Sequence, residues 1–506
     1  MTKKKNRISS PPDRPLRIAI AASEAAPFAK TGGLGDVAGA LPKALSELGC
    51  EVKVFIPKYA QIDDSKYQLH YSAEIGEMPI RVAGIVRTVH IQQAKIPGSE
   101  VDIYFVDCPH FYYRKHIYTS DRDEDERYIL FCKAVIESLQ RLRWAPDVVH
   151  CNDWQTGLLP LYLKDNYNWD RMFDGTACVM TIHNMAYQGR FPRSTVQKAE
   201  LRENQFHPGG PIEFHGSVSF MKIGITYSEM ISSVSPTYSR EILTPEYGHA
   251  MEEVLLPRRE DLVGILNGAD YEHWNPDKDP MVPYHYTAET LDEKQKNKEH
   301  LINQTSLPFM PGKPLIGMVS RLVAQKGLEY MKAVAAELML LDAQWIILGS
   351  GEDQYEELFQ RIAAAVPQKM WAYIGFNNEL AHLIEAGADM FLMPSAYEPC
   401  GLNQIYSLKY GTVPIVRKTG GLADTVWDWH ELQAAGMETG TGFTFLEPSG
   451  YSLFTTVRRA IDVFDRKDEW RKIQLNGMRM DYSWEKSALS YIDLYKTAVL
   501  KKRGSI

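Results

Sequence analysis

The sequence predicts an α/β fold made of two halves, each a doubly wound parallel sheet with helices around it. Short apolar runs typical of buried strands alternate with segments of helical spacing, which is the pattern of βαβ units. The alternation stops over residues 275–304, which are polar and rich in proline, and then starts again. A chain of 506 residues is also too long for one ordinary core, so two large domains are expected.

The predicted elements follow this alternation along the chain. In the first half, the strand PLRIAIAAS precedes a glycine-rich stretch, the helix GALPKALSELGC and the strand EVKVFIP. DVVHCND, ACVMTIHN and MISSVSP are further strands that end in polar residues. The second half contains five predicted strands: PLIGMVSR, QWIILGSG, MWAYIGF, ADMFLMPS and VPIVRK. Because the strands are parallel, we expect the chemistry at their carboxyl ends.

Four segments make up the predicted domain organisation. Residues 1–14 form a basic tail, residues 15–262 a first domain and residues 263–480 a second domain. Residues 481–506 form a closing helix, with Ser483 as its N-cap and apolar residues at helical spacing from Trp484 to Val499. Packing is expected to thin over residues 275–304.

Composition indicates a globular enzyme and argues against several other classes. Hydrophobic residues make up 44% of the chain and charged residues 24%, which is ordinary for a soluble protein. The net charge of −8 argues against a nucleic-acid or anionic-membrane surface. No apolar run is long enough to span a bilayer, and the basic start lacks the apolar core of a signal peptide. Six scattered cysteines without a C-x-x-C pair suit a cytoplasmic protein, and neither a metal nor a cofactor is expected.

One short motif occurs once in each half. Residues 30–36 read KTGGLGD and residues 418–424 read KTGGLAD, with six of seven positions identical. In each copy a loop leads into a helix, whose free N–H groups favour an anion. A tight turn that merely starts a helix close to the sheet is the simpler alternative. Two such loops suggest a ligand gripped between the halves.

The first copy also fits the dinucleotide pattern G-x-G-x-x-A from Gly33 to Ala38, but its surroundings do not. That fingerprint follows its strand directly and needs an acid at the end of the next strand. Here the stretch EAAPFAK separates the strand from the glycines, and the second strand ends in Pro57-Lys58. A Walker loop is excluded because its lysine follows the glycines, whereas Lys30 precedes them.

Other candidate residues follow predicted strands. Arg321 and Lys326 lie in the loop after the first strand of the second half, where two cations can neutralise a diphosphate. Glu398 lies in a turn before a helix and can accept hydrogen bonds from sugar hydroxyls or serve only the helix dipole. A lone histidine is more often structural, but the position of His183 and Asn184 at a strand end favours a role in the site.

The acidic run SDRDEDER is the main rival site. Its spaced aspartates, Asp121, Asp123 and Asp125, resemble a metal-binding D-x-D motif. The run lies at the start of a helical pattern and not after a buried strand, so we interpret it as a solvated helix start.

Together these motifs resemble the bacterial glycogen synthases, a family of retaining glucosyltransferases that also contains the plant starch synthases. The likeness runs from about Leu16 to the final helix, and the pairing of KTGGL with EPCGL is specific to the family. The matching residues are Lys30-Thr31-Gly32-Gly33-Leu34, Asp153-Trp154, His183-Asn184, Asn267-Gly268, Arg321 with Lys326, and Glu398-Pro399-Cys400-Gly401-Leu402. The resemblance implies the GT-B fold: two Rossmann-like domains that face each other across a deep cleft, with the last helix crossing back to the first domain.

The resemblance also implies a reaction and roles for its residues. Glucose would pass from ADP-glucose to the 4-hydroxyl at the non-reducing end of an α-1,4-glucan, with retention of configuration and without metal or enzyme nucleophile. The implied catalytic residues are Arg321 and Lys326 at the diphosphate, Glu398 at the glucose hydroxyls and His183 near the anomeric carbon. The implied substrate-binding residues are Lys30, Gly32, Gly33 and Asp36 of the first motif; Asp153, Asn184 and Asn267 beside His183; Phe376 at the adenine; and Cys400, Gly401 and Leu402 near the phosphates.

Departures from the family pattern leave alternatives open. Tyr406 stands where the wider GT-B pattern has a second glutamate, Asn152 where some relatives have histidine, and Ala250 where glycine is frequent. One alternative is the same fold with another donor or acceptor, such as UDP-glucose or a small sugar. The other is a catalytically silent glucan-binding protein, against which the presence of two diphosphate-neutralising cations argues.

Overall fold

The computed structural model describes residues 14–504, which divide into two compact units. The first unit contains the described residues up to Val234, together with Ser239–Gly268 and the chain from Trp484 onward. The second unit contains Ala269–Ser483 and the short stretch Ser235–Tyr238. The predicted basic tail lies almost entirely outside the described residues.

A ten-stranded mixed sheet forms the centre of the first unit. Its parallel strands lie in the order β13-β12-β8-β7-β1-β2-β6, and an antiparallel group of β5, β3 and β4 continues from β6. The strands β9, β10 and β11 form a separate small antiparallel sheet. The strands are β1 Arg17–Ala21, β2 Glu51–Pro57, β3 His70–Tyr71, β4 Met78–Val82, β5 Ile85–Lys95, β6 Asp102–Asp107, β7 Val148–Asn152, β8 Ala177–Ile182, β9 Arg190–Phe191, β10 Glu213–Phe214, β11 Ser217–Ser219, β12 Met230–Ser233 and β13 Leu262–Gly264.

Helices cover this sheet, and the first of them begins within the glycine-rich motif. Helix α1 starts at Gly33, so only Lys30, Thr31 and the N-cap Gly32 precede it, and the predicted loop is shorter than the sequence suggested. The helices are α1 Gly33–Glu47, α2 Pro109–Tyr112, α3 Glu124–Arg141, α4 Leu159–Lys164, α5 Thr195–Lys198, α6 Phe220–Tyr227, α7 Pro236–Glu241, α8 Pro245–Gly248 and α9 Glu252–Leu255, with 3₁₀ turns at Trp154–Thr156, Arg171–Phe173, Glu203–Gln205 and Leu256–Asp261.

The second unit is built around a six-stranded sheet that is parallel throughout. Its order is β16-β15-β14-β17-β18-β19, so the winding reverses between β14 and β17. Alternate residues of these strands enter two different apolar clusters, because helices cover both faces of the sheet. The strands are β14 Leu315–Val319, β15 Gln344–Gly349, β16 Met370–Ile374, β17 Met390–Met393, β18 Val413–Arg417 and β19 Phe443–Phe445. The five strands predicted in this half are confirmed.

The polar segment before this sheet packs more tightly than predicted. Tyr286, Lys294 and Asn297 are buried, and Lys294 donates to the carbonyl oxygens of Glu385 and Ala386 at 3.0 and 2.8 Å. Burial of polar groups with hydrogen-bond partners gives no hydrophobic signal in the sequence, which explains the error. The helices from here onward are α10 Lys294–Asn303, α11 Leu328–Ala333, α12 Ala335–Leu340, α13 Asp353–Ala365, α14 Asn378–Gly387, α15 Asn403–Lys409, α16 Gly420–Thr425, α17 Trp429–Ala434, α18 Gly450–Phe464, α19 Lys467–Met478 and α20 Trp484–Gly504, with 3₁₀ turns at Leu291–Glu293 and Ala324–Lys326.

The closing helix α20 belongs to the first unit, although it follows the second unit in the chain. It packs against α1, β7, β8 and β12 through a stripe that includes Ala488, Tyr491 and Tyr495. The Tyr495 hydroxyl lies 2.9 Å from Nδ1 of the buried His150 on β7. The predicted amphipathic final helix is therefore confirmed.

Candidate active site

Several of the predicted site residues of each unit follow the two strands at which the winding of its sheet reverses, whereas His183 and Asn184 follow the neighbouring strand β8. In the first unit that point lies between β1 and β7, which precede the first KTGGL motif and Asp153. In the second unit it lies between β14 and β17, which precede Arg321 and Glu398. Doubly wound sheets bind ligands beside this reversal, at the carboxyl ends of the strands.

In the second unit, the predicted cations and the predicted carboxylate line one cavity of about 200 Å³. Arg321, Lys326 and Glu398 face it together with Gly401 and Leu402. The Arg321 side chain is exposed and has neither a hydrogen bond nor an ion pair within residues 14–504. An unpaired guanidinium beside a cavity fits an anionic ligand, since it can bind phosphate oxygens with two parallel hydrogen bonds.

Lys326 and Glu398 bind each other directly. The Lys326 Nζ lies 2.6 Å from Oε2 of Glu398, and both side chains are mostly buried. The Ser395 hydroxyl donates to the same oxygen at 2.8 Å. The carboxylate is therefore fixed through one oxygen, and Oε1 has no hydrogen-bond partner in the described chain.

The second KTGGL copy packs against the turn that carries Glu398. The Gly421 amide donates to the Glu398 carbonyl oxygen at 3.1 Å, and Lys418 pairs with Glu431 at 2.8 Å. Gly420 has φ of +45°, and a Cβ there would lie 1.9 Å from the Glu398 carbonyl oxygen. Only glycine allows the two backbones to lie this close together, so the second copy supports the turn that carries Glu398.

The first copy is organised by Glu24, which the sequence analysis missed. This buried carboxylate accepts hydrogen bonds from the Thr31 amide at 2.5 Å, the Thr31 hydroxyl at 2.8 Å and the Gly35 amide at 3.2 Å. Burial raises its pKa. The amides expected to attract a phosphate are therefore partly occupied by a carboxylate of the protein itself.

Two parts of the first copy are still open to a ligand. Lys30 is about half exposed and pairs with Asp36 at 2.7 Å, so the predicted residue Asp36 holds the lysine. A Cβ on Gly33 would meet nothing within 4 Å, and the protein's own packing does not require glycine there. The free space beside Gly33 is compatible with the close approach of a substrate.

His183 is held as a neutral imidazole at the end of β8. Its Nε2 lies 2.9 Å from Oδ1 of Asn152, and because a carbonyl oxygen only accepts, Nε2 carries the proton. Burial lowers the pKa of His183 to about 3. Nδ1 is thus left as a hydrogen-bond acceptor. Asn152, noted in the sequence only as a departure from some relatives, fixes this tautomer.

Asp153 combines backbone strain with an unusual protonation equilibrium. Its φ and ψ are 57° and −179°, a region that is sparsely populated by non-glycine residues. Its Oδ1 accepts the His183 amide at 2.8 Å, and burial raises its pKa to about 7. Strain of this kind is concentrated at functional sites, so it supports the predicted role of this residue.

The remaining predicted residues vary in their surroundings. Asn184 is only partly buried and accepts the Ala186 amide at 3.0 Å, whereas Asn267 is buried with an Oδ1 that has no partner in residues 14–504. Cys400 is buried in the turn after Glu398. Phe376 is 88% exposed and does not line the cavity of the second unit, so the structure does not bring it together with Arg321 and Glu398.

Tyr406 and Ala250, which depart from the family pattern, have definite structural settings. The Tyr406 ring stacks on Trp274 with centroids 4.1 Å apart and planes inclined by 3°, and Trp274 stacks in turn on His382. An aromatic stack therefore occupies the place of the second glutamate. Ala250 has φ of +67°, in the region that glycine adopts without strain.

The acidic run is less solvated than predicted. Across residues 14–504, no group of three His, Cys, Asp or Glu side chains is arranged to hold a metal ion. Glu124 and Asp125 are buried, and Glu124 pairs with Arg127 at 2.6 Å. Arg127 lies three residues after Glu124 on the same helix. The sequence did not indicate this ion pair, because acidic residues dominate the run. The described part of the chain also contains no helix that is both long and apolar enough to cross a membrane.

Comparison with known proteins shows which families the chain resembles. Residues 17–256 match the family model of the starch synthase catalytic domain, and residues 302–448 match that of glycosyl transferases group 1. The chain is 45% identical to the glycogen synthase of Desulforudis audaxviator, with coverage of 97% of this chain and 98% of that protein. It is 43% identical to the glycogen synthase of Moorella thermoacetica, with coverage of 98% and 99%.

Solved structures show the same relationship. The catalytic domain of starch synthase IV from Arabidopsis thaliana, bound to ADP and acarbose, has a TM-score of 0.88 and 30% identity, with coverage of 96% of this chain and 99% of that one. Fold and site thus define a glycosyltransferase with the GT-B fold. The chain belongs to the glycogen synthase family.

Proposed function

We propose that the protein transfers glucose from ADP-glucose to the non-reducing end of an α-1,4-glucan, with retention of configuration and release of ADP. The observation that carries this proposal is the cavity lined by Arg321, Lys326 and Glu398 at the carboxyl ends of β14 and β17. It combines cations for a diphosphate with a carboxylate for sugar hydroxyls. The plant starch synthase that binds ADP supports an adenine nucleotide as the leaving group.

In this proposal, Arg321 and Lys326 stabilise the negative charge that develops on the diphosphate as the glycosidic bond breaks. Charged groups fixed in place before the reaction lower its barrier because they need no reorganisation. The Gly401 and Leu402 backbone lies beside the same cavity and contributes amide donors. Cys400 continues the turn, and the exposed ring of Phe376 packs on the adenine.

From the first unit, we propose Lys30, with Gly32, Gly33 and Asp36, as the group that meets the distal phosphate or the sugar. His183 orients the glucose, helped by Asp153, Asn184 and Asn267. Because its Nε2–H is committed to Asn152, His183 acts through Nδ1 as an acceptor for a sugar hydroxyl. At neutral pH it is uncharged and therefore does not repel the developing positive charge at the anomeric carbon. No enzyme nucleophile is required.

We propose that residues 15–262 bind the acceptor glucan and that residues 263–480 bind the donor. The closing helix from residue 481 onward belongs to the acceptor side. We also propose a cytoplasmic location, which suits six cysteines without a C-x-x-C pair.

One experiment separates this proposal from its alternatives. Purified protein is incubated with radiolabelled ADP-glucose or UDP-glucose, each with and without glycogen, and label in the polymer is measured. We expect glycogen-dependent incorporation from ADP-glucose at a rate at least tenfold above that from UDP-glucose. Equal or better use of UDP-glucose would replace the donor in the proposal, whereas glycogen binding without incorporation would identify a binding protein.

A further inference from the structure

Ser395 is a buried residue between β17 and Glu398 that belongs neither to the family motif nor to the site residues predicted from the sequence. The role inferred for it rests on the proposed roles of Lys326 and Glu398. Oε2 of Glu398 has two hydrogen-bond donors, the Lys326 ammonium at 2.6 Å and the Ser395 hydroxyl at 2.8 Å. Oε1 has no partner among the described residues, and Glu398 lines the cavity.

The two donors differ in what else they do. In the proposed reaction Lys326 binds the diphosphate, which draws its positive charge toward the phosphate oxygens and away from Glu398. A serine hydroxyl carries a single proton, and in Ser395 that proton is already directed at the carboxylate. Ser395 is 1% exposed, so water does not compete for this bond. Its hold on Glu398 is therefore independent of the diphosphate.

The backbone around Ser395 is itself fixed to the loop that carries Lys326. The Ala396 amide donates to the Gln325 carbonyl oxygen at 2.8 Å. Gly327 has φ of +71°, and a Cβ there would lie 1.9 Å from the Pro394 carbonyl oxygen. With both neighbours anchored, the Ser395 hydroxyl has a defined position relative to Lys326.

We infer that Ser395 is a positioning residue that keeps Oε2 of Glu398 hydrogen-bonded while Lys326 serves the diphosphate, so that Oε1 is presented to the glucose hydroxyls of the donor. Ser395 lines the same cavity, but its hydroxyl proton is already bound to Glu398, so we assign it a role through that carboxylate. Loss of this hydroxyl leaves Oε2 of Glu398 without a fixed donor while Lys326 binds the diphosphate, so the carboxylate is free to rotate, which weakens recognition of the glucosyl group more than recognition of the nucleotide.

The test compares Ser395→Ala with Ser407→Ala. Ser407 is equally buried, lies in the same unit outside the cavity, and donates to a different carboxylate, Oε2 of Glu385, at 2.7 Å. Its removal reports the general effect of deleting a buried serine–glutamate hydrogen bond. Steady-state kinetics with ADP-glucose, the dissociation constant of ADP by calorimetry and thermal unfolding are measured for both variants and the wild type.

For Ser395→Ala we expect kcat/KM with ADP-glucose to fall by about tenfold or more, equivalent to about 1.4 kcal/mol, while ADP binding changes less than threefold. Ser407→Ala should keep wild-type kinetics even if its melting temperature falls. The inference is overturned if Ser395→Ala keeps wild-type kinetics, or if it weakens ADP and ADP-glucose to the same degree.

A second variant covers the case in which Ser395→Ala does not fold. Ser395→Cys fills similar space with a weaker hydrogen-bond donor, so it should show the same selective loss in smaller measure. Full activity of Ser395→Cys together with unchanged ADP binding would overturn the inference. Failure of the proposed function itself is recognised separately, because then the wild type transfers no glucose from ADP-glucose.

Discussion

Asp153 shows how one residue links strain, burial and protonation. Its backbone lies in a region that costs about 1–3 kcal/mol for a non-glycine residue. Burial raises its pKa from 3.8 to about 7, whereas burial lowers the pKa of the adjoining His183 from 6.5 to about 3. Burial thus favours the uncharged form of both side chains.

The first prediction follows from these opposite shifts. Between pH 4 and 7 the folded state retains a proton on Asp153 that the unfolded state releases, so this contribution to stability is lost as pH rises. His183 contributes in the opposite sense, since its stability is lost as pH falls below its unfolded pKa. Asp153→Asn keeps an oxygen for the His183 amide and removes only the first effect. Relative to wild type, the variant should gain about 1 kcal/mol or more in unfolding free energy from pH 5 to 8.

Denaturant unfolding of both proteins at pH 5, 6, 7 and 8 measures this difference. Parallel stability curves would show that Asp153 does not titrate in this range. The transfer activity of Asp153→Asn is measured as well. Asparagine keeps only part of the backbone strain and of the proposed contact with the sugar, so activity can change together with stability.

The second prediction concerns Lys326, one of the two cations that line the cavity of the second unit. Lys326→Ala should reduce kcat/KM for ADP-glucose by about 10²-fold, since an aligned group that stabilises developing charge contributes roughly 3 kcal/mol. Lys332→Ala is the control, because Lys332 is about half exposed and reaches Glu329 only at 3.5 Å. Equal effects of the two variants would exclude the diphosphate role.

At the scale of elements, the two copies of the repeated motif have similar local structure but different partners. In the first copy the helix begins at Gly33 and the motif is held by Glu24 from the preceding loop. In the second copy the glycines pack on the Glu398 turn and Lys418 lies on a surface pair. The sequence repeat thus predicted both helix starts correctly, but it did not predict the different partners of the two copies.

The third prediction tests the supporting role of the second copy. Gly420→Ala combines a positive φ with a collision against the Glu398 carbonyl, so the turn must move. Gly436→Ala is the matched control: its φ is +77°, but a Cβ there meets nothing within 4 Å. The control should lose about 1 kcal/mol of stability from φ alone and keep its activity. Gly420→Ala should lose more stability and at least tenfold in transfer. Similar transfer activities of Gly420→Ala and Gly436→Ala would show that the second copy does not support the Glu398 turn.

The same elements show what the sequence could and could not predict. Arg321, Lys326 and Glu398 were predictable because each follows a recognisable buried strand. Glu24 was not, since no pattern indicates that a carboxylate in the spacer EAAPFAK folds back onto the motif. Ser395 was not predictable either, because a single serine after a strand forms no recognisable pattern. Its hydrogen bond to Glu398 depends on side-chain geometry, which the sequence does not show.

At the scale of the whole molecule, the chain builds its first unit from both ends of the described sequence. Helix α20 returns to cover β7, β8 and β12 after the second unit is complete. The buried hydrogen bond between Tyr495 and His150 joins this helix to the sheet. His150 in turn lies 2.6 Å from the Thr181 hydroxyl, so the helix is tied into a polar chain inside the core.

The fourth prediction is that Tyr495→Phe lowers the unfolding free energy by about 1–3 kcal/mol, because it leaves a buried ring nitrogen without its partner. Leu489→Ala on the same helix is the control, since Leu489 is 51% exposed and its truncation should change stability by less than about 0.5 kcal/mol. Thermal and denaturant unfolding measure both. A loss no larger for Tyr495→Phe than for Leu489→Ala would show that the bond does not anchor the helix.

The return of α20 also has a consequence for synthesis on the ribosome. The sequence of the second unit, Ala269–Ser483, leaves the ribosome before α20 does. The second unit can therefore fold first, while the part of the earlier-synthesised sheet that α20 covers is still exposed. We expect nascent chains of this protein to depend on cellular chaperones until α20 has left the ribosome, although most of the first unit is synthesised early.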